Sequence, residues 1–325
     1  MTIICLGEIL YDLIAEDLGT PLEEVVSWAA YPGGAPANVA CGVVKLGTPS
    51  AFVGCVGKDR VGRELTDLLN NIGVNTAGLA YHPTAPTRQV YVTRSYTGER
   101  HFAGFGEIAT EDFADTQPDY QNIPETLFDG AQYLVTGTLG LAYPASRQAI
   151  YHALNLSRDH GVRVFIDINW RPVFWTDIEA ATPLILHLLS QAHVIKCSEE
   201  EAQWLFGSDQ PTHIQDTLKS VRAIIVTRGE KGCSYAFDNI AGDVPSFKVE
   251  SVDTTGAGDG FVAGFLHKCC EWGDRVFTDR ETAGKALIYA NAVGAIVTTA
   301  PGAIDPLPNP AQVETFLEKH KHNQR

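Results

Sequence analysis

Asp253-Thr254-Thr255-Gly256-Ala257-Gly258-Asp259 is the stretch on which the reading of this chain turns. It follows an alternating run (Phe247, Val249, Ser251) that predicts a strand. It leads directly into Phe261, Val262, Phe265, Leu266 and Cys269, an apolar stripe at helical spacing. A glycine-rich turn opening a helix presents free backbone N–H groups at the positive end of the helix dipole, a site for anionic oxygens. The closing carboxylate separates this turn from a passive phosphate cradle. Asp259 at the mouth of an anion site is placed to take a proton from a substrate hydroxyl while the N–H groups hold the phosphoryl group under attack. These residues point to phosphoryl transfer to an alcohol; the plainer alternative is a tight turn capped by Asp259.

Two other glycine motifs are excluded. Gly256-x-Gly258 is followed by Phe261 where a dinucleotide fingerprint needs its third glycine, and no Gly-x-x-x-x-Gly-Lys-Ser/Thr string occurs. A dehydrogenase is therefore disfavoured. The 325 residues, 45% hydrophobic and 19% charged, suit a globular protein with a large core. A net charge of −15 argues against nucleic acid as a partner, since no basic stripe exists to neutralise phosphates. The seven cysteines are scattered without C-x-x-C spacing, and the histidines show no H-E-x-x-H pattern, so neither a disulfide framework nor a zinc site is expected. The stretch 286–300 is short for a membrane span and predicts a buried helix running into a buried strand. With no signal sequence at the start, the expected location is cytoplasmic.

Short apolar runs at 3–6, 50–56, 133–136, 162–167, 194–196 and 223–227 alternate with helical patterns at 37–46, 62–72, 146–160, 183–191 and 199–206. This alternation predicts an α/β fold with a central, mostly parallel sheet and helices on both faces, with ligands beyond the carboxyl ends of the strands. Two segments break the rhythm: a polar excursion at 13–31, and an alternating hairpin at 88–105 around Thr97-Gly98. Together they predict a small antiparallel sheet, a β lid, on a single domain spanning 1–325. An edge hairpin of the main sheet is the alternative.

A second glycine region reads Pro32-Gly33-Gly34-Ala35-Pro36-Ala37-Asn38-Val39-Ala40, followed by Gly54-x-x-Gly57-x-Asp59-x-x-Gly62. In this order and spacing with residues 253–259, these motifs resemble the ribokinase-like (PfkB) family of ATP-dependent sugar kinases over nearly the whole chain. Gly7-Glu8-Ile9-Leu10-Tyr11-Asp12 and Asp167-Ile168-Asn169-Trp170-Arg171 look most like the fructokinases within it.

The resemblance implies roles. Asp259 would be the general base on a primary hydroxyl, and the N–H groups of Gly256, Ala257 and Gly258 the anion hole. Asp12, Gly33, Gly34, Asn38, Asn169 and Arg171 would bind the sugar. The plain alternatives are a turn former for Asp12, a helix cap for Asn38 and a solvated side chain for Arg171. Thr227, Gly229 and Gly232 would flank the nucleotide. Ser198 and Glu201 would stand where relatives order magnesium and phosphates, unless the three adjacent glutamates simply favour a helix start. Asp253 and Thr255, with carbonyls near Val297, Ala300 and Gly302, match a potassium site of the family. The implied reaction is phosphorylation of a small sugar by ATP with Mg2+, fructose leading. The rivals are a 2-keto-3-deoxygluconate kinase, for whose carboxylate Arg88, Arg94 and Arg100 are available cations, and an inactive sugar- or nucleotide-sensing homologue. Partners are the small molecules, with neither nucleic acid nor membrane, and a homodimer through the lid. One departure stands out: where fructokinases carry Phe-x-Phe-Tyr-Arg, this chain reads His101-Phe102-Ala103-Gly104-Phe105-Gly106-Glu107, which bears on the choice of sugar.

Overall fold

The computed structural model describes residues 2–97, 100–175 and 177–320. Its strands are β1 (Thr2–Leu6), β2 (Leu10–Leu18), β3 (Trp28–Gly33), β4 (Ser50–Gly57), β5 (Asn75–His82), β6 (Gln89–Arg94), β7 (Arg100–Gly104), β8 (Ala131–Thr136), β9 (Arg163–Asp167), β10 (Val194–Ser198), β11 (Ala223–Thr227), β12 (Cys233–Phe237) and β13 (Ile240–Val244). The helices are α1 (Ala35–Lys45), α2 (Arg60–Ile72), α3 (Pro144–Asp159), α4 (Ile178–Leu189), α5 (Glu199–Phe206), α6 (Pro211–Leu218), α7 (Ala257–Trp272), α8 (Arg275–Thr278), α9 (Arg280–Val297) and α10 (Pro310–His320).

Nine strands form one sheet in the order β13-β12-β11-β10-β9-β8-β1-β4-β5. It is parallel except for the antiparallel β11–β12–β13 edge. Its inner strands read as continuous apolar runs because both faces are covered. In β1, Ile3 and Cys5 join the core beneath α1, α7 and α9, whereas Ile4 and Leu6 join the core beneath α3 and α4. The seven cysteines are buried free thiols. Among the described residues no helix is long and apolar enough to cross a membrane.

A second sheet has the order β3-β2-β6-β7. It is mixed rather than antiparallel, because β2 pairs parallel with β6 while β2–β3 and β6–β7 are antiparallel. The polar excursion is thus a β2–β3 pair, and the expected hairpin turn at Gly98 lies outside the described residues. Two other expectations are corrected. Residues 245–252 form no strand: Phe247 is buried, but against the rings of Phe316 and His320 rather than in a ladder. Residues 286–297 all belong to α9 with no strand after them, because α9 is buried against the glycine-lined face of α7, where Gly260 and Gly264 admit Val293 closely.

Candidate active site

The main sheet adds β4 and then β5 on one side of β1, and the chain later returns to add β8 on the other, so the sheet has its topological switch point beside β1. The carboxyl ends of β1, β9, β10 and β11 deliver Glu8, Asp167, Ser198 and Thr227 to one edge. The small sheet reaches the site through β7, where Arg100 pairs with Asp253 at 2.9 Å.

Asp12 lies within β2, so it is a strand residue rather than a turn former. A Cβ built on Gly33 would meet its Oδ2 at 3.0 Å. Burial pushes the Asp12 carboxyl up to about 6, with Asp253 adding to the rise and Arg100 and Arg171 opposing it. Gly34 caps α1 at φ 106, and any side chain there would strike the Glu8 carbonyl at 2.4 Å. Asn38 sits inside α1 rather than capping it, and its Nδ2 donates to Asp259 Oδ2 at 2.7 Å. The Asn38 Oδ1 is buried with no hydrogen-bond partner. Two glycine motifs 221 residues apart therefore meet through one hydrogen bond. Arg171 is exposed and donates to the Trp170 carbonyl, yet its charge acts on both Asp12 and Asp259. Asn169 is half-buried at φ 41, a left-handed backbone that bends the chain off the end of β9.

Gly256 caps α7 at φ 76 with no side-chain cap, because a Cβ there would meet Ala303 at 2.6 Å. This leaves the helix mouth open to an anion. The Ala257 N–H turns to the Thr254 carbonyl at 3.2 Å. Beside Gly258 stands a residue that sequence reading missed. Lys196 in β10 is buried, with Nζ 3.0 and 3.1 Å from the Asp167 oxygens, and a Cβ built on Gly258 would lie 3.0 Å from it. A lysine inside the apolar run Val194-Ile195-Lys196-Cys197 was the available signal. Burial raises the Asp259 carboxyl above the usual carboxylate range, with Asn38, Lys196 and Arg171 pulling it part of the way back.

Thr227, Gly229 and Gly232 line a cavity of about 690 Å³ that also touches Ala257, Gly258 and Asn291. Ser198 and Glu201 do not line it. They form a capping box at the start of α5, with Ser198 Oγ accepting from the Glu201 N–H and Glu201 Oε2 accepting from the Ser198 N–H. Glu201 Oε1 accepts from the Trp170 N–H at 2.6 Å and so fixes the loop carrying Asn169 and Arg171. Asp253 and Gly302 meet directly, the Gly302 N–H donating to Asp253 Oδ2 at 2.8 Å. Val297 ends α9 and packs against Gly260, and Ala300 lies in the turn between Thr298, whose carbonyl accepts from the Asp253 N–H, and Gly302.

Glu8 is buried, and its Oε1 accepts the first N–H of α1, from Ala35, at 3.0 Å. Burial pushes its carboxyl up to about 7, helped by Asp115 and Asp259 and opposed by its own backbone N–H and that of Ala35. Between its ordinary value and about 7, the folded protein holds a proton that the unfolded chain releases. Stability therefore falls as pH rises through that window. Glu8→Gln keeps the acceptor for Ala35 and removes the titration. Relative to the wild type it should gain up to about 3 kcal/mol between pH 4.5 and 8. Urea midpoints across that range check this, and a pH-independent difference would clear Glu8 of the effect.

The family described as "pfkB family carbohydrate kinase" matches residues 2–310. The chain is 36% identical to the probable fructokinase-5 of Arabidopsis thaliana over 97% of both chains, and 35% identical to fructokinase-2 of Oryza sativa subsp. japonica over 98% of this chain and 94% of that one. Among solved structures it superposes on the fructokinase of Vibrio cholerae O395, crystallised with fructose, ADP and calcium, at a TM-score of 0.84, 30% identity and 97% and 98% coverage. It also superposes on a putative ribokinase II from E. coli in complex with ATP and Mg2+, at 0.86, 28% identity and 98% and 99% coverage. These likenesses run from end to end and agree with a glycine turn whose closing carboxylate faces a second glycine motif. The chain belongs to the pfkB family of carbohydrate kinases, and it is an ATP-dependent sugar kinase.

Proposed function

We propose that the enzyme transfers the γ-phosphoryl group of ATP to the primary hydroxyl of fructose. The observation that carries the reading is the Asn38–Asp259 hydrogen bond, which joins the sugar-side glycine motif to a buried carboxylate at the open mouth of α7. In this reading Asp259 accepts the proton of the sugar hydroxyl as that oxygen attacks the γ-phosphorus and ADP departs. Its raised pKa makes it a stronger base than an exposed carboxylate. The Gly258 N–H, with the Lys196 ammonium beside it, takes up charge on the equatorial oxygens. The unpaired Asn38 Oδ1 and the half-buried Asp12 accept hydrogen bonds from sugar hydroxyls. The cavity beyond Gly232 and Asn291 has room for the nucleotide. Magnesium would enter with ATP and would neutralise charge on its phosphates beside the open mouth of α7 and Lys196. The small sheet serves as the lid that keeps water from competing as acceptor.

The three arginines of the small-sheet segment, Arg88, Arg94 and Arg100, are each already partnered, which favours a neutral sugar over an acid. Arg88 is buried in an ion pair with Asp115 and stacked on the Phe113 ring at 4.5 Å. Arg94 donates to the carbonyls of Ala15 and Glu16. Arg100 is paired with Asp253. In the departing segment 101–107, Phe105 packs on Phe113 and Phe174 over Arg88; it supplies no cation. A coupled ADP-release assay over ketoses, aldoses and sugar acids should give fructose a kcat/KM at least about tenfold above 2-keto-3-deoxygluconate, ribose and glucose, since a missing hydroxyl leaves buried polar groups unpaired. A sugar acid or a pentose at the head of the panel would end the fructose assignment.

A further inference from the structure

The carboxylate of Asp253 begins the turn that ends in Asp259, and the family resemblance gives it to a potassium ion. The donors around it do not fit that ion. Oδ1 accepts from the Thr255 N–H at 3.0 Å and the Thr255 hydroxyl at 2.8 Å. Oδ2 accepts from the Gly302 N–H at 2.8 Å and is paired with Arg100 Nη2 at 2.9 Å. The same guanidinium donates through Nη1 to Thr255 Oγ1 at 3.0 Å. Burial alone would raise the Asp253 carboxyl, but these N–H groups, the hydroxyl and Arg100 hold it below the usual carboxylate range. A monovalent cation needs oxygen lone pairs and a negative charge to balance its own. Here both oxygens already face donors, and the negative charge is matched by a guanidinium.

Arg100 reaches Asp253 from β7, across the gap between the two sheets. We propose that Arg100 is a built-in counter-ion that takes the place of a monovalent cation beside the anion hole, so that closing the small sheet over the site also fixes the turn of residues 253–259. The planar fork suits this task, one arm engaging the carboxylate and the other the Thr255 hydroxyl. Through Asp253 it holds Gly302 and Thr255, and through them the backbone that sets Gly256 at the mouth of α7. The proposal rests on the same turn holding the transferred phosphoryl group.

Turnover and thermal melting of the full-length protein are compared in potassium, sodium and tetramethylammonium chloride at equal ionic strength. Wild-type kcat/KM should change by less than about twofold and its melting temperature should not respond specifically to potassium. In tetramethylammonium, Arg100→Ala should lose at least about tenfold, the usual scale for removing a charge beside an anion hole. Potassium should restore most of that loss and raise the melting temperature of the variant alone. Arg100→Lys should keep enough of the charge to remain insensitive to potassium. A wild-type enzyme that needs potassium, or that is stabilised by it in a saturable way, overturns the proposal. So does an Arg100→Ala variant equal to the wild type in every salt, or one whose loss no cation repairs. The melting arm reads the ion without substrate, so a misassigned sugar would silence turnover in every salt and leave the ion test intact.

Discussion

Asp259→Asn should fold and bind ATP as the wild type does and lose roughly 10²–10⁴-fold in kcat, the usual worth of a positioned general base. The amide retains an oxygen that can accept from Asn38 Nδ2, so the link between α1 and α7 survives while the proton acceptor is lost. In the wild type, the acid limb of kcat/KM should lie above the pH expected for an exposed aspartate, because burial raises this carboxyl. Steady-state kinetics with nucleotide binding measured separately checks both points. A variant within tenfold of wild-type turnover would remove Asp259 from the role.

Lys196→Met should be the most damaging single change for stability. Lys196 is 7% exposed and Asp167 6%, and their ion pair lies inside the sheet edge. Removing one partner strands a buried charge and costs about 3–5 kcal/mol. Burial already pushes Asp167 up to about 6 against the pull of Lys196. Without the ammonium its pKa rises further, so the penalty should be largest near pH 8 and shrink toward pH 5 as Asp167 takes up a proton. Asp167→Asn in the same background should return much of the lost stability. Turnover should stay low in the double variant, by about 10²-fold or more, because the cation beside Gly258 is still missing. Recovery of turnover together with stability would make Lys196 a purely structural residue.

The inner sheet was legible because a parallel strand buried on both faces is a short apolar run flanked by turns, as at 133–136 and 223–227. The strand β5 was missed because Asn75–His82 has no buried residue and its middle, Ala77-Gly78-Leu79-Ala80, is mostly small side chains with neither alternation nor β-branching. Residues 247–251 misled for the opposite reason: their alternation reflects Phe247 packing on a helix and Val249 packing on the core, not a ladder. In the site, the expected residues that the structure brings into one neighbourhood are those carried by glycine motifs, whose backbone demands show in the sequence itself. Lys196 and Arg100 act through partners distant along the chain. An ordinary-looking basic residue does not show whether it will meet a carboxylate. Ser198 and Glu201 are legible as a helix start, and the structure uses both side chains in that cap.

The bond between Asn38 and Asp259 also sets a condition on synthesis. Its donor leaves the ribosome early and its acceptor 221 residues later, which at about 5–20 residues per second is roughly 10–40 s. During that interval β1 and β4 can pair, and the open edge of the sheet moves from β1 to β8 once residues 131–136 are made and then outward through β9, β10 and β11. The nascent chain therefore carries an open, apolar strand edge with neither a catalytic group nor a sugar to steady it. Newly made protein should depend on holding factors until the last third of the chain arrives, and truncated chains ending before α7 should aggregate rather than accumulate as soluble half-enzymes.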